Sequence, residues 1–241
     1  MDIAEKVLLL KQDYDDVHEA GKQAQYDADW DMLQANGARD KWEYGFQQCN
    51  IVGALRPKHK IALSGSIARM FIGNKNMTTI YNWGFPTTGV TSCQAAFSEC
   101  SSFLGFVDEN GELIKDKPFF GNSVTDYRFC FQNNEKIEYI CIDVSSVNNL
   151  YTGTFGRCLK LKRLKITGGT IKVSIQLQYS PLDVESMVNV IELLENYSGT
   201  EKEFNYTAQF SEDCWAELEK TTPPEGYSTW RDYVANLGWN S

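Results

Sequence analysis

Two histidines are all the imidazole the chain carries, and neither stands where a metal ion or a proton relay needs it. His18 lies among Asp15, Asp16 and Glu19 in a stretch of helical character, which reads as a solvated acidic face rather than a metal site. His59 sits in the basic run Arg56-Pro-Lys-His-Lys60. The seven cysteines, Cys49, Cys93, Cys100, Cys130, Cys141, Cys158 and Cys214, include no C-x-x-C pair, so neither a zinc site nor a full disulfide framework is indicated and reduced, buried thiols are expected. A thiol nucleophile needs a base beside it, and none of these has one in sequence. The carboxylate pairs Asp15-Asp16 and Asp108-Glu109 are adjacent in a helix or turn, not set across a cleft as glycosidase chemistry requires. Gly65-Ser66, Gly153 and Gly168-Gly169 belong to no phosphate-binding loop, so no nucleotide cofactor is expected. The residues therefore assign no catalytic group, no metal and no cofactor, and the chain is expected to be non-enzymatic.

Binding is the chemistry left, and two alternating runs offer it. In Arg163-Leu-Lys165-Ile-Thr167 and in Tyr139-Ile-Cys141-Ile-Asp143 the apolar residues point one way and the others point opposite. Laid side by side, the two runs put Arg163, Lys165 and Thr167 next to Tyr139, Cys141 and Asp143 on one outward face, a candidate ligand contact; ordinary solvated strand positions are the other reading. The charge pattern gives that face a direction. The formal net charge is −9, but residues 1–48 carry −6, residues 49–180 carry +6 and residues 181–241 carry −9. A basic middle can steer an anionic partner such as a phosphate-bearing cell-wall polymer, although it can equally serve solubility or subunit contacts.

The element that must position these residues is a repeat. Phe97-x-x-Cys100-x-x-Phe103-x-x-Phe106 and Phe155-x-x-Cys158-x-x-Leu161-x-x-Leu164 share one template, and Phe131, Asn134, Ile137, Ile140 and Phe71, Asn74, Met77, Ile80 repeat it with Asn for Cys. The phenylalanines fall 26, 34 and 24 residues apart. Such spacing describes a corner leading into a short strand; one unit buries a single row, and stacked units join the rows into a core. The small Cys or Asn fits where coils approach each other. Thr170 to Tyr179 alternates as a last strand, and the extra length between Phe97 and Phe131 forms a loop in which Phe119 and Phe120 either tuck under or meet ligand.

Around the repeat stand two further segments. Residues 1–48 hold a heptad seam, with Ile3, Val7, Leu10, Tyr14 and Val17 spaced to pack on another helix, either on its own domain or on another copy of the chain. Residues 49–180 are the solenoid. Residues 181–241 form a cap: Val184, Met187, Val188, Val190, Ile191 and Leu194 have helical spacing, and Trp215, Tyr227, Trp230, Tyr233 and Trp239 supply an aromatic tail that folds over the open end. No apolar stretch approaches the length of a membrane span and no secretory leader is read, so membrane insertion is not expected, and neither is nucleic-acid binding.

The F-x-x-C-x-x-L-x-x-L coils resemble BspA-like leucine-rich repeats, found in bacterial surface proteins and among phage and prophage structural proteins. Tyr26-Asp-Ala-Asp-Trp30 with Gln34-Ala-Asn-Gly37-Ala-Arg39, then Arg56-Pro-Lys-His-Lys60 and Arg69-Met-Phe71, is similar to the segment that phage-associated members place before their repeats. Ser180-Pro-Leu-Asp-Val-Glu-Ser-Met-Val-Asn-Val-Ile191 is similar to their closing helix. The resemblance implies an α/β, leucine-rich-repeat-like solenoid with an N-terminal helix and a C-terminal helical and aromatic cap. It also implies a virion tail component that contacts other tail proteins or a host cell-surface polymer or protein; a bacterial surface adhesin is the alternative. Ser145 and Gly169 stand after the strands where the family places Asn or Cys, so the coil is expected to turn differently there.

Overall fold

The computed structural model describes residues 42–57, 63–81, 83, 89–148, 150, 153–200 and 205–241. The heptad seam, His18, His59 and the segment around Tyr26 to Arg39 lie outside the described residues. Within them the chain winds into a parallel-strand β-solenoid of about four turns. Its strands are short: β1 (Gly53–Leu55), β2 (Ser64–Ser66), β3 (Met77–Ile80), β4 (Gly89–Ser92), β5 (Gly105–Phe106), β6 (Tyr139–Asp143), β7 (Arg163–Thr167), β8 (Ile175–Leu177) and β9 (Ala208–Phe210). They pair in parallel as β1-β3-β5, β2-β4, β6-β7 and β8-β9.

The phenylalanine of the template forms a column through the stack. Phe71 lies 5.2 Å from Phe97, Phe97 6.0 Å from Phe131 and Phe131 6.4 Å from Phe155, all near parallel. Phe46 extends the column by one coil, 5.5 Å from Phe71, so Phe46-x-x-Cys49 is a fifth copy that the alignment of the repeats missed. Each ring is fully or almost fully buried, a contribution of about 1.5–3 kcal/mol apiece relative to exposure.

The backbone around this column is not helical. The N–H of each of the first four phenylalanines donates one coil onward: Phe46 to Met70 O, Phe71 to Ala96 O, Phe97 to Cys130 O and Phe131 to Thr154 O, at 2.8–3.0 Å. The alternate N–H groups close tight turns within the coil, as in Asn74 N–H to Phe71 O at 3.3 Å and Cys158 N–H to Phe155 O at 3.2 Å. Alternation between own coil and next coil satisfies the main chain without a helix. It also demands left-handed backbone two residues before or after the phenylalanine, seen at Arg69, Gly73, Ala95, Glu99, Phe129, Asn133 and Arg157.

This corrects the expected α/β character: among the described residues the first helix is α1 (Val184–Glu192), and the coils before it turn through ribbons where helices were expected. Two further helices follow, α2 (Glu212–Leu218) and α3 (Trp230–Asn236). Thr170 to Tyr179 is also shorter as a strand than its alternation suggested, because only Ile175–Leu177 forms a strand, Ile171 makes an isolated bridge to Leu194, and Tyr179 lies in a turn. Nor is it the last, since β9 pairs with it in register Leu177 to Phe210. After β7 the chain turns through Gly168 and Gly169 with φ of +64° and +60°. A Cβ on Gly169 would sit 2.7 Å from Val144 O, which is the physical reason for glycine at this corner.

Helix α1 takes the place of a strand beside β7. Ser186 Oγ accepts from Leu164 N–H at 3.0 Å, while Asn189 Oδ1 accepts from Ile166 N–H at 2.8 Å and its Nδ2 donates to Ile166 O at 3.1 Å. Side chains of the helix thus satisfy groups that an open sheet edge would expose. Buried residues from Trp42 to Trp239 form one continuous core, which includes Trp215, Trp230 and Trp239.

Candidate functional site

The strand face expected to bind is present in register: Tyr139 pairs with Arg163, Cys141 with Lys165 and Asp143 with Thr167. Its outward exposure is partial, since Arg163, Lys165, Thr167 and Asp143 reach the surface and Tyr139 and Cys141 do not. Tyr139 is only 7% exposed and Cys141 is fully buried, because the inserted loop returns over β6: Phe119 N–H donates to Cys141 O at 2.8 Å and Asp116 N–H donates to the Tyr139 hydroxyl. Phe119 and Phe120 are tucked under that loop, against Phe106 and Tyr127 respectively, rather than open to ligand.

The cations of the face are also engaged. Arg163 pairs with Glu185 and, at 3.3 Å, with Asp183, both from the segment that starts α1. Lys165 Nζ lies 3.1 Å from Asp116. Thr167 Oγ1 donates to Ile142 O at 3.3 Å, and Asp143 accepts from Ser145 N–H at 2.9 Å. Glu185 holds the Arg163 guanidinium well above its usual range, and the hydrogen bond from Lys165 holds the Asp116 carboxyl below the ordinary carboxylate range. Burial pushes the Cys141 thiol up to about 11 and Cys100 to about 12, and raises Cys93 and Cys158 as well. These sulfurs are held protonated, which suits packing and not nucleophilic attack.

A different place carries open, unmatched chemistry. At the corner between the last coils and α2 lies a groove of about 360 Å³, lined by Leu159, Gln178, Tyr179, Pro181, Leu182 and Asp213 among others. The unit that builds it is Leu177-x-x-Ser180, in which Ser180 N–H closes onto Leu177 O at 3.0 Å as Cys158 closes onto Phe155. Two columns of the solenoid change character here. The residue after the small corner residue is Asn50, Lys75, Ser101 and Glu135 in the earlier coils, then Leu159 and Pro181. The residue before it is Gln48, Gly73, Glu99, Asn133 and Arg157, then Tyr179.

Polar surface positions thus become apolar at one spot. Leu159 is 42% and Tyr179 54% exposed, two of the four exposed large hydrophobic residues among those described. Helix α2 supplies the opposite wall with Asp213 and Glu217; Ser211 caps it by accepting from Cys214 N–H at 3.2 Å. Gln178, which also lines it, has a buried Oε1 with no hydrogen-bond partner among the described residues. Sequence reasoning missed this groove because Leu177-x-x-Ser180 replaces both defining residues of the template, and the column comparison is visible only once that unit is aligned.

The fold is a parallel-strand β-solenoid with an exposed, partly apolar groove at one corner of its C-terminal coils. Against family models, curated proteins and solved structures, the chain has no match.

Proposed function

We propose that the chain is a non-enzymatic binding protein, a component of a phage or prophage tail that contributes to assembly or to recognition of a bacterial surface, with the corner groove as its ligand contact. The tail assignment rests on the BspA-like resemblance of the repeats and their flanks. The observation that carries the binding reading is the switch of two columns from polar to apolar at Leu159, Tyr179 and Pro181, all three exposed. Stacked repeats conserve a solvated exterior unless that exterior meets something, and exposed apolar groups in a concave site mark contact. The buried, protonated thiols and the engaged cations of the β6-β7 face fit a scaffold.

Particles from a lysogen carrying this chain provide the test. Antibody against the chain should decorate tails, and particles with Tyr179→Ala and Leu159→Ser should assemble yet adsorb poorly. Absence of the chain from particles overturns the tail assignment; recovery in the cell envelope instead favours a surface adhesin.

A further inference from the structure

We infer that the corner groove docks a basic segment of a partner protein, with the stem of one lysine or arginine along Leu159, Tyr179 and Pro181 and its charge beside Asp213 and Glu217. This rests on the groove being the ligand contact. Among the described residues, the charged ones lining it are Asp213 and Glu217, with no Lys or Arg. Glu217 shares Lys220 at 2.6 Å, whereas Asp213 has no ion-pair partner among the described residues. The other wall is apolar and partly aromatic, suited to a hydrocarbon stem and to a cation over the Tyr179 ring.

Charge selects the class of occupant. Residues 181–241 carry −9, so the field at this end repels polyanions and draws cations inward, opposite to what the +6 of residues 49–180 suggests for the β6-β7 face. An anionic polymer would have to bring its charge against two carboxylates. A neutral polyol would leave the charge of Asp213 without a counterpart. A flexible basic segment supplies both the cation and the apolar stem, and a groove of about 360 Å³ accommodates side chains rather than a folded domain.

The probe is fluorescein-labelled hexalysine, titrated into the full chain by anisotropy. Saturable binding is expected, weakened at least about tenfold by Asp213→Asn and by Tyr179→Ala, reduced by salt, and unchanged by Glu109→Gln, which removes an equal charge from the remote inserted loop. Asp213 and Tyr179 are exposed, so both variants should melt as the wild type does. If Glu109→Gln weakens binding as much as Asp213→Asn, the peptide follows net charge and the inference is overturned. If hexalysine does not bind while Tyr179→Ala still abolishes adsorption, the groove stands as ligand contact and the basic-segment assignment falls. If Tyr179→Ala changes neither, both fall.

Discussion

Asn74 and Cys158 perform the same task with different atoms. Asn74 Nδ2 donates to Phe46 O at 2.7 Å and Cys158 Sγ to Phe131 O at 3.1 Å; Asn134 and Cys100 do the same to Phe97 O and Phe71 O. The template admits Cys or Asn because the corner needs a small side chain with a donor aimed at the preceding coil. The sequence shows the smallness but not the donor's target, since that carbonyl lies roughly one coil away. Asn74 also donates to Phe71 O and accepts from Ile51 N–H, so Asn74→Ala removes three hydrogen bonds and strands the buried Ile51 N–H, whereas Cys100→Ala removes only sulfur contacts. The asparagine variant should lose more stability in urea, by about 1–3 kcal/mol for the orphaned N–H. Thiol chemistry gives a second check: with Ellman's reagent the native chain should show one fast sulfur, Cys49, and release the six buried ones only on unfolding.

At the scale of elements, the coil period and its buried rows are legible in sequence, and the return path is not. Met77, Phe103, Ile137 and Leu161 are buried as their spacing requires. The ribbon that links them depends on left-handed residues such as Arg69, Glu99 and Arg157, whose types do not announce that conformation. Phe155→Ala should lower stability by about 3–5 kcal/mol, read from the denaturation midpoint, because it opens a cavity against Phe131. Asn189→Ala should cost about 1–3 kcal/mol by stranding Ile166 N–H and O, and should leave β7 prone to edge pairing, measured as light-scattering growth on storage. The inserted loop is pH-sensitive in one direction. Asp116 has a folded value below its unfolded one, so its contribution is present above the ordinary carboxylate range and is lost as pH falls through the folded value. The protection factor of the Phe119 amide, its exchange rate taken relative to the intrinsic rate at each pH, should therefore fall in acid, by a small factor given the exposed Lys165 pair, and stay constant near neutrality.

For the whole molecule, the segmental charges are plain in the sequence, but their meaning depends on which charges already face one another. The +6 of residues 49–180 includes Arg163 and Lys165, which α1 and the inserted loop engage, while the acidic C-terminal segment presents Asp213 to the groove. Reversing Arg163 to glutamate would set it against Asp183 and Glu185, so that variant reports on the fold before it reports on any ligand. The groove itself was not legible, because it forms where two coils and α2 diverge and no local pattern contains all three. Hydroxyl-radical footprinting of the full chain, alone and mixed with bacterial envelopes, tests the proposed contact most directly. The account predicts that protection concentrates on Leu159, Tyr179 and Leu182 while Tyr139 and Thr167 label alike in both states; protection along β6-β7 with an unchanged groove would contradict it.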